Sequence, residues 1–397
     1  METLFDVLAL VQIASGLYLL WLGIQWLSYV QKRLKIDPGF SAPRTAVICP
    51  CRGMEAGLER NLVSLCEFSH QNYEVFFVLA SESDPAYSLV KRVAASSRVK
   101  ATVIIAGKPM GCSEKVHNLR TAIEQLPPEF EILVFADSDG RPGKSWLQRL
   151  AAPLSDSRIG ATITMRWFIP NKNDLPTALL ASWNASVVTM LGDHNKNFCW
   201  GGGTAIRRAF FEEIGMMDIW QYSFSDDYSL TAALERSGRF ILFLPECLTV
   251  SYVETDLAGL LEFTNRQVRI TKVYRPQIWA TAFATHFLYC ITLLIGCYVA
   301  LRLTLDSRPA TQVLLLLTLP LLLASIRGTL RVLGVSEALP AARAQIMGQS
   351  WIYILLTIFT PYLYLINFLC SLVGRKVRWR GIDYELISTE ETRILTP

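Results

Sequence analysis

The chain has 397 residues, 51% hydrophobic and 18% charged, with a formal net charge of +4. Such a composition excludes a disordered chain, and so mild a charge does not point to nucleic acid. Nine cysteines without regular CxxC pairing exclude a disulfide framework and a zinc module, so the soluble part is expected to face a reducing compartment.

Leu4–Val30 is nearly all apolar and ends at Lys32, Arg33 and Lys35. Its length suits a spanning helix. It lacks a basic leading region and a small-residue cleavage site, so it reads as a retained anchor with its C-terminal end in the cytoplasm. Ile36–Arg44, with two prolines and a glycine, reads as a linker. Strands are then expected at Thr45–Cys49, Tyr73–Leu79, Ala101–Ala106, Ile132–Ala136 and Ile159–Met165. Helices are expected between them at Leu58–Glu67, Ala86–Ala95, Lys115–Gln125 and Ser145–Ala152. Such alternation predicts an α/β domain with a mostly parallel sheet and right-handed crossovers.

The pattern changes at a long apolar helix candidate, Leu175–Leu191. A run of three glycines, 201 to 203, precedes a short strand. Short helices follow at Phe210–Ile214 and Tyr228–Ser237, the second opened by Asp226 and Asp227, and a strand at Arg239–Leu244. Asp256–Tyr274 is amphipathic and basic, as expected of a helix lying in a membrane interface. Apolar stretches at Ile278–Leu301, Thr311–Ile326 and Ser350–Val373 complete the chain before Arg375, Lys376, Arg378 and Arg380. The expected division is an anchor at 1–31, a cytosolic domain at 32–255, an interfacial helix at 256–276, a C-terminal bundle at 277–374 and a basic tail at 375–397. Four spans put that tail outside, whereas its four basic residues argue for inside. A re-entrant hairpin at Pro361 would reconcile the two.

The chemistry concentrates where the apolar run Ile132–Ala136 stops at Asp137-Ser-Asp139-Gly. Carboxylates at i and i+2 of an extended chain project the same way, towards the crevice at the end of an open α/β sheet. Mg²⁺ and Mn²⁺ take oxygen ligands and are commonly shared between carboxylates and substrate phosphates. A metal–diphosphate site is one reading of Asp137 and Asp139, and a solvated turn is the other. Asp84 before Pro85 reads equally as a turn opener, and Asp226 and Asp227 as helix caps. Arg266 and Arg269 read as a basic interfacial face. The glycines read as a loop or as backbone that must approach something closely.

The order and spacing of these signals resemble the inverting glycosyltransferases of the GT-A fold, and within them the ceramide glucosyltransferase family, glycosyltransferase family 21. Pro50-Cys-Arg52-Gly-Met resembles the family's first loop, Ser83-Asp84-Pro85 its first acidic motif, and Gly107 to Asn118 the loop before its donor-site helix. Asp137-Ser-Asp139 resembles its metal–diphosphate motif. Ser225-Asp226-Asp227-Tyr228 resembles the motif whose second carboxylate is the general base, and Arg266-Gln-Val-Arg269-Ile270 the membrane-proximal (R/Q)xxRW motif. Trp379 to Tyr384 resembles its C-terminal end. Ile270 stands where that motif has Trp, and Asp226 where Glu is common.

The resemblance implies a Rossmann-like catalytic domain with one N-terminal and about three C-terminal transmembrane helices. It implies a metal-dependent transfer of a hexose, expected from UDP-glucose or another UDP-sugar, to the hydroxyl of a membrane lipid, ceramide-like by family. Asp84, Lys115, Asn118, Arg52 and Asp137 would hold the nucleotide sugar. Asp137 and Asp139 would hold Mn²⁺ or Mg²⁺, Asp227 with Asp226 would act on the acceptor, and Arg266 and Arg269 would meet the leaving diphosphate. His194 is a weaker candidate for the acceptor. The expected location is a multi-pass membrane protein with its catalytic domain in the cytoplasm, in a bacterial inner membrane or a eukaryotic Golgi or ER. A hopanoid or diacylglycerol transferase, a processive polysaccharide synthase and a non-catalytic nucleotide-sugar-binding membrane protein are the alternatives.

Overall fold

A computed structural model of the chain describes residues 1–37, 39 and 43–396. Part of the linker expected at Ile36–Arg44 therefore lies outside the described residues. The chain forms two compact units. One holds Met1–Gln31, Pro170–Thr189 and Glu254–Gly374; the other holds Lys32–Ile169, Met190–Val253 and Arg375–Pro397.

The second unit is built on a sheet. Its strands in chain order begin β1 (Thr45–Pro50), β2 (Tyr73–Leu79), β3 (Ala101–Ile105), β4 (Ile132–Ala136) and β5 (Ile159–Ile163). They continue β6 (Arg166–Pro170), β7 (Gly203–Arg207), β8 (Phe240–Phe243) and β9 (Thr249–Val253). Seven of them form one sheet in the order β3-β2-β1-β4-β7-β5-β8. Its pairs are parallel except where β7 runs antiparallel to β4 and to β5. β2 and β4 are buried along their whole length, which is why they read as continuous apolar runs and not as alternating ones. Val47, Phe77 and Val134 lie in one core cluster with Leu62 and Trp146. β6 and β9, which periodicity missed, pair as a separate ladder. All nine cysteines are free thiols.

The stretch expected to be a basic tail is a folded sheet of β10 (Lys376–Trp379), β11 (Ile382–Leu386) and β12 (Thr392–Thr396). Trp379 pairs with Ile382 across Arg380-Gly381, whose φ angles are 53° and 81°. Two central residues with positive φ make the turn whose twist matches a tight hairpin. Val377, Ile382, Tyr384 and Leu386 are buried. Phe224 packs against the rings of Trp379 and Tyr384, with centroids 5.8 and 5.1 Å away. The Tyr384 hydroxyl accepts the backbone N–H of Glu114 at 3.2 Å.

The first unit is helical. Glu2–Arg33, Pro276–Leu305 and Thr311–Ala338 are long and apolar enough to cross a membrane. The third runs past Ile326, where the apolar stretch was expected to end, because Arg327 and Arg331 are good helix formers and do not stop the backbone ladder. The fourth stretch is not one straight helix. Ser350–Ile358 and Thr360–Leu372 meet at 61°, with Pro361 at the start of the second piece, where a proline is tolerated. Two straight C-terminal helices of membrane length and one bent pair, broken beside Pro361, thus stand where the three apolar stretches were expected. Leu257–Tyr274 forms the amphipathic helix, capped by Asp256, whose side chain accepts from the Gly259 N–H at 2.7 Å.

Candidate active site

Asp137 follows directly on β4. The antiparallel register of β7 sets Ala136 opposite Gly203, so the glycine run lies beside the end of β4. A Cβ on Gly201 would collide with the Asp226 carboxylate and the Lys115 ammonium. On Gly202 it would meet Asp137 Oδ2 at 2.5 Å and collide with the Trp200 ring. The glycines are therefore a wall without side chains, against which two acids and a lysine can stand.

Lys115 is the second residue of the helix Glu114–Gln125, capped by Ser113, which accepts the Val116 N–H at 3.3 Å. Its Nζ lies 2.7 Å from Asp137 Oδ1 and 3.3 Å from Asp226 Oδ2, with all three side chains largely buried. Burial opposes the lysine's charge, but the carboxylates of Asp137 and Asp226 outweigh it and hold the pKa above the usual value. Burial likewise opposes the charge of Asp137, yet Lys115 and Arg166 keep its pKa below the usual carboxylate range. Asp226 goes the other way. Burial pushes it up to about 6 against the pull of Lys115, and Asp227 and Asp137 add to the rise. The two acids that share one lysine thus have opposite proton affinities, and Asp226 is the one that titrates near neutrality.

Asp139 Oδ2 pairs with Arg166 Nη1 at 2.5 Å. The Arg166 guanidinium lies over the rings of Phe168 and Trp200, at 4.8 and 5.7 Å. Asp139 Oδ1 is buried without a hydrogen-bond partner. Among the described residues no three His, Cys, Asp or Glu side chains converge as a complete metal cage. The donor set still fits a hard cation. Asp137 and Asp139 supply oxygens, Asp139 has a buried acceptor to spare, and Mg²⁺-type sites commonly take their remaining ligands from phosphates and water.

Asp84 Oδ1 accepts from the N–H groups of Gly53 and Ala86, at 2.9 and 2.8 Å, which ties the loop after β1 to the end of β2. Arg52 in that loop pairs with Glu114, and Arg380 pairs with Glu55. Asn118 is 2% exposed, and its Oδ1 is buried with no partner. Ser225 caps the helix Asp226–Ser237 by accepting the Tyr228 N–H. Asp227 is half-buried; its Oδ1 accepts the same N–H at 2.8 Å and the Ser225 hydroxyl.

The structure therefore joins Lys115, Asp137 and Asp226 directly. It presents Asp84 after β2, and Asp137 and Asp139 after β4, two strands that both run parallel to β1 and flank it. Arg266 and Arg269 belong to the helical unit, on Leu257–Tyr274. There Arg266 lies 5.3 Å from the Phe263 ring centre, and Arg269 Nη2 donates to the Cys370 carbonyl at 3.4 Å. Ile270, in the place of the motif tryptophan, is buried. His194 sits in an exposed turn, its ring accepting the Lys196 N–H at 3.2 Å. Arg166 was missed because its partner lies 27 residues away; the cation opening Arg-Trp-Phe just after a strand was the available signal.

The sheet unit has the mostly parallel α/β fold expected of the GT-A class, and the chain carries membrane-length helices, one N-terminal and two C-terminal. The chain belongs to glycosyl transferase family 21, whose profile it matches over residues 4–392. It is a glycosyltransferase. Solved structures similar to it include the mannosyltransferase PcManGT from Pyrobaculum calidifontis in complex with GDP-Man and Mn²⁺. The two share 18% identity at a TM-score of 0.48, over 91% of this chain and 99% of that one. GalNAc-T7 with UDP, GalNAc and Mn²⁺ matches at 14% identity and a TM-score of 0.41, over 59% and 48%.

Proposed function

We propose that this chain transfers a hexose from a UDP-sugar, with UDP-glucose as the expected donor, to the hydroxyl of a ceramide-like membrane lipid, giving a β-linked glycolipid. The observation that carries the reading is Lys115, buried between Asp137 and Asp226 against bare glycine backbone at the end of β4. A divalent cation such as Mn²⁺ or Mg²⁺ on Asp137 and Asp139 would act as a Lewis acid on the leaving diphosphate. Arg166 fixes one oxygen of Asp139 and leaves the other for that ion.

Lys115 supplies a permanent positive charge beside the donor and holds Asp137 ionised. Asp84 braces the loop that carries Arg52, and Asn118 offers a buried amide to the donor. Asp227 is the general base of this reading. It stands at the start of its helix, steered by Ser225 and the Tyr228 N–H, and it takes the proton of the lipid hydroxyl as that oxygen attacks the anomeric carbon. A positioned base of this kind contributes ~10²–10⁴-fold. A second reading makes Asp226 the base, favoured by its pKa of about 6. The role of Arg266 and Arg269 at the diphosphate rests on their motif.

Topology supports a catalytic unit on one side of the membrane. The chain leaves the sheet unit after Val253 and returns to it at Arg375. An even number of crossings must lie between. Two straight helices satisfy this, and Ser350–Leu372 then turns back as a re-entrant pair. Lys32, Arg33 and Lys35 make the sheet-unit side cytoplasmic. The test is a transfer assay with purified protein, Mn²⁺ or Mg²⁺, and labelled UDP-glucose, UDP-galactose or UDP-N-acetylglucosamine against ceramide, diacylglycerol and total lipid. One EDTA-sensitive glycolipid with ceramide is the expected outcome. A ladder of lengthening products, or no product despite metal-dependent UDP binding, would overturn the proposal.

A further inference from the structure

The helix Thr311–Ala338 carries two arginines within its apolar length, at i and i+4, which puts them on one face. Arg331 is 2% exposed. Its Nη2 donates to Thr189 Oγ1 at 3.3 Å, while Nε and Nη1 are buried with no hydrogen-bond partner. Arg327 Nε is buried and unpartnered as well. The titratable groups beside the pair are Tyr364, Tyr289 and His286, besides the two arginines themselves. Among the described residues no carboxylate is paired with either. Two cations side by side in an apolar bundle, with donors left over, call for an anion.

The depth of the pair indicates which anion. Gln31 donates to Glu337 at 3.1 Å, and Arg308 pairs with Glu2 at 2.8 Å, so the ends of the first and third long helices are level. Twenty-eight residues span about 42 Å, close to a bilayer with its headgroups. Arg331 lies six residues before Glu337, roughly 9 Å along the axis. That is the level at which lipid headgroups meet acyl chains. A guanidinium with buried donors left over suits the oxygens of a phosphate.

We propose that Arg331, with Arg327, holds the phosphate of a membrane phospholipid inside the helical unit. This site is separate from the nucleotide-sugar site and does not depend on the proposed acceptor. It takes a phosphodiester whose acyl chains lie along the bundle, and it ties the third helix to the end of Leu175–Val188 through Thr189.

The test uses the full chain in mild detergent. Native mass spectrometry of the wild type should retain one phospholipid per chain. After delipidation, phosphatidylglycerol should restore that adduct and raise the thermal midpoint. The same lipid with its phosphate methylated to a neutral triester should do neither, and inorganic phosphate at equal concentration should not substitute. Arg331→Met should weaken retention at least tenfold, and Arg331→Lys should weaken it less. Equal shifts from the diester and the triester, full replacement by inorganic phosphate, or unchanged retention in Arg331→Met would each overturn the proposal. If Arg331→Met does not fold, the diester–triester comparison on the wild type decides.

Discussion

Asp226→Asn tests the electrostatics of the site with a pH signature of known sign. Burial and two neighbouring acids raise the Asp226 carboxyl from 3.8 to about 6. Each pH unit is worth about 1.4 kcal/mol, so ionising Asp226 in the folded protein costs about 3 kcal/mol more than in the unfolded chain. Between 3.8 and about 6 the native state keeps a proton that the unfolded state has released. The contribution to stability is therefore complete at low pH and is lost as the pH rises through about 6. From pH 4.5 to 7.5 the loss comes to about 2 kcal/mol, or about 4–8 °C in thermal midpoint for a unit of this size.

Asparagine does not titrate, so the midpoint of Asp226→Asn relative to wild type should climb across this window. Tryptophan fluorescence at a fixed scan rate, on detergent-purified protein at closely spaced pH values, reads that difference. Contributions common to both proteins cancel. Asp137 does not contaminate the window, because its depressed pKa places its own, opposite effect at more acid pH. A difference between variant and wild type that stays flat with pH would refute the burial-driven rise of Asp226. Adding Asp227→Asn to this pair separates the two candidate bases. If Asp227 is the base, Asp227→Asn loses ~10²–10⁴-fold in kcat and Asp226→Asn loses less; the reverse order assigns the base to Asp226.

Three further outcomes are expected. Gly202→Ala should cost about 1–3 kcal/mol and most of the transfer activity, because the new methyl group meets the Trp200 ring and Asp137 Oδ2; thermal unfolding and the transfer assay check both, and a wild-type midpoint would remove the close-approach argument. Asp139→Asn should abolish the difference in UDP affinity with and without EDTA, read by calorimetry, while the protein stays folded. Tyr384→Phe deletes the acceptor of the Glu114 N–H, at about 1 kcal/mol, and should raise the KM for donor more than it lowers kcat, since it loosens the helix that carries Lys115.

Local signals announced the strands and the acidic strand ends, because buried parallel strands read as unbroken apolar runs closed by turn-forming residues. Asp84 and Asp137 were legible for that reason, and the Asp226–Asp227 pair as the opening of a helix. What brings them together was not. The antiparallel insertion of β7 between β4 and β5, the Lys115–Asp226 contact and the Arg166–Asp139 pair join residues far apart in sequence, and no periodicity encodes them. The charges of Lys376, Arg378 and Arg380 hid a hairpin whose alternating Val377, Trp379, Ile382, Tyr384 and Leu386, flanking Arg-Gly, were its available signature. At Ile326 the opposite happened. Arginines ended the apolar run on paper while the helix continued, because a helix registers backbone geometry and a hydropathy window registers side chains.

The seat of Tyr384 on Glu114 also sets an order of assembly. These residues are 270 positions apart. At a synthesis rate of roughly 5–20 residues per second, the partner of Glu114 is made roughly 15–50 s after it. Meanwhile the two C-terminal membrane-length helices have to be made. Until then the β10–β12 sheet is missing, Phe224 lacks the rings of Trp379 and Tyr384, and the Glu114 N–H lacks its acceptor. The half-built chain is thus an open sheet unit, and the arrival of β10–β12 is a late report that the C-terminal helices have been made. A chain stalled or cut before Arg375 would keep every acidic motif, yet would lack the contact that holds the start of the Lys115 helix.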